Sequence, residues 1–373
     1  MHPDAFLVAC LERSKSAGLH INITSTFSCS DSFLEIIKAE SYRWDTILVG
    51  IQGMDYETRA GFLRFCDLCE GLLLPQLKVL VLQGPYRVRG QIFEEVIDDS
   101  SMQFYNHWIA PNLTQATFLR IVPSRLSFSP TILNMELPQY KSPHDATFLD
   151  LLQSLNSLQD LSVTFQSQYY FRFSSRAPIT MENLTALKIT AQANEESTLL
   201  APQSLISSLQ MPILTHLCIK LRCDRKYALQ YYQREDAVLA DLIPEPEHHP
   251  NLSSLQLDLI LSSSGLWAGR TPDLQLSGVL SKVPLLRDLL VSTNFNIAPL
   301  LGNDGRWGIP PLRRIEFRDC VNFRSEDLHL WIRSLSHSNV WAGIEEITIR
   351  RCLVKNTKVL EKFSSERKVK ILD

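Results

Sequence analysis

The chain lacks the hydrophobic runs that a membrane-spanning helix needs. No apolar stretch in its 373 residues approaches the ~18 to 20 residues required to cross a bilayer, and Leu72-Leu73-Leu74 is interrupted at once by Pro75. The first residues also lack the basic start and the small-residue cleavage site of a secretory signal. These absences predict a protein of the cytoplasm or nucleus that has no membrane partner.

An excess of charge of either sign is also missing. The 37 Lys and Arg residues and the 40 Asp and Glu residues give a formal net charge of −3. Nucleic-acid binding requires a basic surface that neutralises phosphates, so the composition predicts that nucleic acid is not a partner. The hydrophobic content of 45% supplies ample material for a large core.

Cysteine is too thinly spread for a disulfide framework, since the eight residues stand at positions 10, 29, 66, 69, 218, 223, 320 and 352. We therefore expect reduced thiols. Cys66 and Cys69 have the spacing of a zinc half-site or a redox pair, but a zinc site needs four ligands and the sequence has no second pair. The spacing instead favours two core cysteines on one face of an amphipathic helix.

Local catalytic motifs are absent as well. The sequence contains no His-Glu-x-x-His, no Gly-x-Ser-x-Gly and no phosphate-binding glycine-rich loop, and its 14 glycines are spread singly. His248 and His249, beside Glu245 and Glu247, form the best metal-like cluster, but a solvated loop is the favoured interpretation. We predict that the protein is not an enzyme and holds no cofactor or metal.

What the sequence does contain is a repeated strand template. In Leu312-x-x-Ile315-x-Phe317 an apolar residue is followed by two free positions, a second apolar residue, one free position and a third apolar residue. Alternation at period two predicts a short strand with one buried face, and recurrence of the template predicts a stacked repeat protein. Cys320 and Cys352 follow the third apolar residue by three positions in successive repeats and are predicted to fill space beneath a turn.

Eleven matches to the template follow one another, with first residues Trp44, Leu77, Leu113, Ile132, Leu158, Leu184, Leu214, Leu252, Leu286, Leu312 and Ile344. The mean period is 30 residues and individual spacings run from 19 to 38. Most intervals have a helical pattern, and prolines often precede the strands, where the preceding helix must end. The order of strand and helix predicts an α/β protein with a parallel sheet.

Two architectures share that alternation: a leucine-rich-repeat solenoid and a closed eight-stranded β/α barrel. The free positions of the strands are largely polar from residue 160 onward, whereas both faces of a barrel strand are packed. We therefore predict the solenoid, with an open curved parallel sheet and helices on its convex side. An enzyme on a closed scaffold is the less favoured alternative.

The sequence predicts a single domain over residues 1–373. Residues 1–43 form an N-terminal cap and a first irregular repeat, 44–352 hold about eleven repeats, and 353–373 form a C-terminal cap. No linker rich in Gly, Ser or Pro divides these parts.

Two groups of residues are candidates for binding a protein partner. The free positions of the last two repeats carry charges of both signs, which should lie side by side on the concave face: Arg314, Glu316, Arg318, Glu346 and Arg350. The second group is the aromatic segment Tyr169, Tyr170 and Phe171, because interface hot spots are enriched in aromatic residues. A solvated charged surface and an extended packed strand are the respective alternatives.

Two short motifs add a resemblance. The segment Cys10–Leu19, which reads Cys-Leu-Glu-Arg-Ser-Lys-Ser-Ala-Gly-Leu, and Tyr42–Ile47, which reads Tyr-Arg-Trp-Asp-Thr-Ile, precede the Leu-x-x-Leu-x-Leu units. This combination resembles the F-box and leucine-rich-repeat proteins of mushroom-forming fungi, and the resemblance covers nearly the whole chain.

The resemblance implies that the repeats recruit a protein for ubiquitination, while an F-box docks on the adaptor of a cullin ubiquitin ligase. The chain begins at Met1 directly in the repeat region, and we expect no F-box within it. The adaptor is thus an expected partner only if the native protein carries an F-box upstream. The alternative is a free-standing repeat scaffold or decoy that binds a protein without docking on a ligase.

Overall fold

A computed structural model describes most of the chain: residues 3–24, 31–50, 56–84, 101–137, 145–166, 178–193, 199–224, 239–240, 242–262, 273–298, 300, 309–323, 325–338, 340–352 and 369–372. The chain is divided into two compact units. The N-terminal unit comprises Met1–Pro138 with Ser142–Leu161, and the C-terminal unit comprises Gln139–Lys141 with Ser162–Asp373.

The N-terminal unit has four α-helices, two 3₁₀ helices (Ser41–Arg43 and Ser101–His107) and five strands among its described residues. The helices are α1 (Pro3–Ser14), α2 (Asp31–Ala39), α3 (Tyr56–Leu68) and α4 (Asp145–Ser154). The strands are β1 (Leu19–Thr24), β2 (Trp44–Gly50), β3 (Val79–Gln83), β4 (Gln115–Leu119) and β5 (Ile132–Leu137). The division between the units falls within a further strand, β6 (Asp160–Phe165).

Strands outnumber helices in the described part of the C-terminal unit. The longer strands are β8 (Ala186–Ala193), β10 (His216–Asp224), β11 (Ser254–Ser262), β13 (Asp288–Thr293), β15 (Arg314–Arg318), β16 (Glu346–Arg350) and β17 (Val369–Leu372). Four two-residue strands are β7 (Ile179–Thr180), β9 (Leu209–Gln210), β12 (Asp273–Leu274) and β14 (Asn296–Ile297). The helices are α5 (Leu200–Ser207), α6 (Ser277–Ser281) and α7 (Ser325–Ser336).

Neighbouring strands of the main sheet are parallel and follow chain order. In the N-terminal unit β1 to β5 pair in sequence, and in the C-terminal unit β8, β10, β11, β13, β15, β16 and β17 do the same. With β6 the main sheet has 13 described strands, more than the eight of a closed β/α barrel. The predicted α/β class and parallel sheet are confirmed.

The strand template is confirmed in ten of the eleven predicted units, because all three of its apolar residues are buried there. The register aligns these residues across neighbouring strands. Leu217, Leu255 and Leu289, for example, lie side by side on β10, β11 and β13. Each is at most 2% exposed, so the apolar positions of successive repeats form continuous buried rows.

The predicted frame of the unit at β5 is wrong. Leu133, not Ile132, is fully buried, and it pairs with Ala116 of β4, while Met135 pairs with Phe118. The template of this repeat therefore begins at the buried Pro130, two residues earlier than predicted. Leu133, Met135 and Leu137 alternate with the polar Asn134 and Glu136, so the sequence does indicate the buried face, but Ile132, Met135 and Leu137 also fit the template spacing and misplace its first residue.

Helices and loops cover the buried face of the strands with large side chains. In the C-terminal unit the ring of Trp331 on α7 meets Phe317 of β15 edge to face, with centroids 5.1 Å apart. In the N-terminal unit Tyr105 packs on Phe118 of β4, with centroids 5.7 Å apart. Such aromatic pairs add to the burial of apolar area that holds each repeat together.

Two strands lie at the edges of the main sheet. β1 contains the alternating Leu19, Ile21 and Ile23 and pairs with β2. β17 lies within the predicted C-terminal cap and pairs with β16 in parallel. Among the described residues no helix is long and apolar enough to cross a membrane.

Arg43 joins the two motifs on which the sequence resemblance rests. Its side chain is 3% exposed. Nη2 donates to Ser14 Oγ at 2.7 Å and to the Ala17 carbonyl at 3.0 Å, and Nη1 donates to Glu40 Oε2 at 2.8 Å. A weaker contact reaches the Leu11 carbonyl. The guanidinium thus satisfies acceptors at the end of α1, where helical carbonyls have no partner within the helix.

Candidate functional site

The predicted charged residues lie on the outward face of the last strands of the C-terminal unit. β15 and β16 bury Ile315, Phe317, Ile347 and Ile349 on one face. The alternate positions point the other way because successive side chains of a strand alternate. With their ion-pair partners they form a set that we name the charged ladder: Asp288, Arg314, Glu316, Arg318, Glu346, Arg350 and Lys370.

The register places these residues in adjacent positions. Arg314 lies beside Asp288 on one side and Glu346 on the other. Four residues further along the strands, Arg318 lies beside Arg350. The sequence prediction that the charges of the last two repeats lie side by side is thus confirmed, while their use by a partner stays a prediction.

Every member of the charged ladder is engaged by another. Arg314 donates from Nε and Nη2 to the two carboxylate oxygens of Asp288, at 2.6 and 3.1 Å. Arg318 Nη2 lies 2.7 Å from Glu316 Oε1, and Arg350 Nε lies 3.8 Å from the same oxygen. Lys370 Nζ lies 3.1 Å from Glu346 Oε1.

These contacts stabilise the charged forms of the groups. Hydrogen bonds from Thr348 and Lys370 lower the pKa of Glu346 below its ordinary value. The hydrogen bond with Asp288 raises the pKa of Arg314. The ladder as a whole places four cationic side chains, Arg314, Arg318, Arg350 and Lys370, against three carboxylate side chains, Asp288, Glu316 and Glu346.

Several side chains of the charged ladder are accessible from solvent, and their ion pairs can be exchanged for others. Arg314, Arg350 and Lys370 have side chains that are 67%, 44% and 56% exposed. Solvent-exposed ion pairs contribute little net free energy, about 0 to 1 kcal/mol. A partner's charged groups can therefore replace them at small cost, while the strands keep the side chains at fixed spacing.

Sequence reasoning missed two members of the ladder. Asp288 occupies the same template position as Arg314 and Glu346, directly before the second apolar residue, and this position is the signal that could have found it. Lys370 lies in the segment assigned to the C-terminal cap. Its alternation with Val369 and Ile371 is too short to reveal a strand without the neighbouring β16.

The polar outward face belongs to the C-terminal unit and not to the whole chain. On β2 to β5 the outward positions include half-buried apolar side chains: Leu48, Val79, Val81, Leu119 and Ile132. The polar pattern from residue 160 onward does not extend to them. The second predicted group, Tyr169, Tyr170 and Phe171, lies outside the residues that the structure describes.

Cys66 and Cys69 lie in the core, at the end of α3 and just after it, as predicted. They are 5% and 3% exposed. Burial raises the pKa of both thiols, that of Cys69 to about 12. The thiolate is the form that binds metals and attacks disulfides, so at neutral pH these residues act as small apolar side chains.

Cys320 and Cys352 fill the turns after β15 and β16, as predicted. Each follows a residue in the left-handed conformation, Asp319 with φ of 54° and Arg351 with φ of 52°, where the chain leaves the strand. Cys320 is fully buried, and its backbone N–H donates to Cys352 Sγ at 3.4 Å. Stacked turns thus place the two sulfur atoms in adjacent repeats near each other.

The prediction of a solvated loop at the histidine pair is wrong for His249. Its side chain is 2% exposed, and Nε2 donates to the Pro244 carbonyl at 2.7 Å. Removal from water lowers the pKa of this imidazole. The backbone carbonyl of His248 also accepts a hydrogen bond from Met211 N at 2.7 Å, so this loop is part of the repeat stack.

No protein-family model matches the chain, and no curated protein matches it significantly.

Proposed function

We propose that this chain is a protein-interaction module in which the outward side chains of a leucine-rich-repeat solenoid bind another protein. The observation that carries the proposal is the charged ladder on consecutive parallel strands. Strands held in one register present their outward residues in fixed rows, so little conformational entropy is lost on binding. Complementary charges on a partner then give specificity and fast association.

We further propose that the partner is a protein recruited for ubiquitination, and that the chain serves as the substrate-recognition part of an F-box-type ligase subunit in the cytoplasm or nucleus. The resemblance of the motifs at Cys10–Leu19 and Tyr42–Ile47 supports this role. The contacts of Arg43 add support, because they make the two motifs one structural unit. A free-standing scaffold without ligase docking is the alternative.

Affinity capture of the tagged native protein from its own cells tests the proposal. Mass spectrometry identifies the co-purified proteins and the N-terminus of the captured chain. Recovery of a cullin-ligase adaptor, with other proteins that accumulate when the proteasome is inhibited, would support ligase substrate recognition. Recovery of protein partners without an adaptor would favour the free-standing scaffold, and a chain that captures no protein at all would contradict both.

A further inference from the structure

A cleft of about 320 Å³ lies in the C-terminal unit, at the carboxyl ends of β6, β8, β10 and β11. It is distinct from the charged ladder. Its lining includes two tiers fixed by the register: Thr190, Lys220 and Asp258 lie in one row, and Gln192, Arg222 and Ile260 in the next. Thr164 and Gln166 complete the lining at the end of β6.

Arg222 provides an unpaired positive charge in this cleft. Its side chain is exposed and forms no ion pair with any residue in the described part of the chain. A guanidinium presents parallel N–H donors that match a carboxylate in a bidentate arrangement. Lys220, one row away, is already opposed by Asp258, with Nζ 3.4 Å from Oδ2.

Asp258 provides a site for a hydrogen-bond donor. Its Oδ1 atom is shielded from water and accepts no hydrogen bond within the described residues. A shielded acceptor without a donor is destabilising, and that cost disappears when a donor arrives. The cleft is thus suited to a ligand that has both N–H donors and a negative charge.

The dimensions and remaining lining fit an extended peptide. Four adjacent parallel strands span roughly 14 Å at about 4.8 Å per strand. An extended chain covers this distance in about four residues. The hydroxyl and amide groups of Thr164, Thr190 and Gln192 can donate to and accept from a peptide backbone. Ile260, which is 37% exposed, offers an apolar contact.

We propose that this cleft binds an extended acidic peptide segment of a protein partner, with an Asp or Glu carboxylate of the segment on Arg222. The inference rests on the proposed function, since it places part of the partner's recognition at this cleft. A free inorganic anion lacks the N–H groups that the cleft also accommodates, so the peptide is the occupant that uses both features.

The test is selection of peptides on the full chain. A phage-displayed library of random dodecapeptides is selected on the immobilised protein, and the recovered peptides are synthesised with a fluorescent label for anisotropy. We expect enrichment of Asp or Glu in the recovered set. Arg222→Glu should weaken binding at least tenfold and Arg222→Gln less. Arg333→Glu, which makes the same charge change at an exposed position on α7, should leave affinity within twofold.

Each other outcome contradicts the proposal in a distinguishable way. Two results would contradict peptide binding at the cleft and leave the proposed interaction module intact. One is recovery of peptides without acidic residues, and the other is recovery of acidic peptides whose affinity for Arg222→Glu equals that for the native chain. Displacement of bound peptide by a few millimolar inorganic phosphate at constant ionic strength would show that the cleft is a site for a small anion and would contradict the peptide proposal. Recovery of no peptide would contradict peptide binding at the cleft. The proposed interaction module would be contradicted as well only if the chain also captured no protein from cells.

Discussion

At the scale of single residues, two buried polar side chains hold parts of the backbone in place. Arg43 links α1, the chain after it and Glu40 through several hydrogen bonds. His249 closes the loop around Pro244 in the C-terminal unit. Both are polar groups removed from water, and such groups stabilise a fold only while their partners are in place.

Replacing Arg43 tests the first of these links. Arg43→Met removes the charge and all of its hydrogen bonds while keeping a side chain that can pack. Because hydrogen bonds to charged groups are worth about 1.5 to 3 kcal/mol each and leave unsatisfied acceptors when lost, we expect a loss of roughly 2 to 4 kcal/mol. Urea unfolding followed by circular dichroism measures it.

The control is Arg13→Met, in the last turn of α1, the helix end that Arg43 contacts. Arg13 is exposed and has no hydrogen bond or ion pair in the described residues, so the change should stay within about 0.5 kcal/mol. Equal effects of the two substitutions would show that Arg43 does not hold the two motifs together.

The pH dependence of stability tests the environment of His249. Its pKa in the folded state is lowered from 6.5 by burial, so the unfolded chain binds a proton more readily than the folded one. The stability contribution is complete above the unfolded pKa and is lost as the pH falls toward the lowered folded pKa. When the pH is lowered from 7.5 to 5.5, the urea midpoint of the native chain should therefore decrease more than that of His249→Gln. Equal decreases in the two proteins would contradict this.

At the scale of the repeat element, the register of β5 gives a sharp choice between two frames. The sequence frame places Ile132 inside, whereas the structure buries Leu133 completely and leaves Ile132 half-exposed on the outward face. We expect Leu133→Asp to unfold the N-terminal unit, because an unpaired carboxylate would enter its core. Ile132→Asp should stay folded.

Circular dichroism and limited proteolysis distinguish these variants. The structure predicts a cooperative melt and protease resistance for Ile132→Asp and their loss for Leu133→Asp. The reverse order would restore the sequence frame. Leu255→Asp, at a position where sequence and structure agree, is the positive control for a buried charge.

The elements illustrate what sequence patterns can reveal. Strands with polar residues between apolar ones, such as β15 and β16, are found correctly because only one frame buries every apolar side chain. β5 fails because Ile132, Met135 and Leu137 match the spacing of the template as well as Pro130, Leu133 and Met135 do. The ion pairs of the charged ladder could not be assigned because they depend on the register between strands, and His249 was misjudged because burial of a short loop depends on the strands on either side.

At the scale of the molecule, the charged ladder should be dispensable for folding and needed for binding. Arg314→Glu with Arg318→Glu removes one exposed and one half-buried guanidinium group and leaves Asp288 and Glu316 beside new negative charges. We expect a cooperative melt as in the native chain and a loss of captured partners, because the charge complementarity of the face is reversed. Arg333→Glu, away from the strands, is the control.

Hydroxyl-radical footprinting of the captured complex tests the central claim most directly, because it reports which side chains a partner covers. Mass spectrometry compares oxidation of each peptide in the free chain and in the complex. The account predicts protection of outward residues on the strands of the C-terminal unit, including Arg314, Arg318 and Arg350, with little change at exposed residues of α7. Protection confined to α7 or to the N-terminal unit, with the charged ladder still freely oxidised, would contradict it.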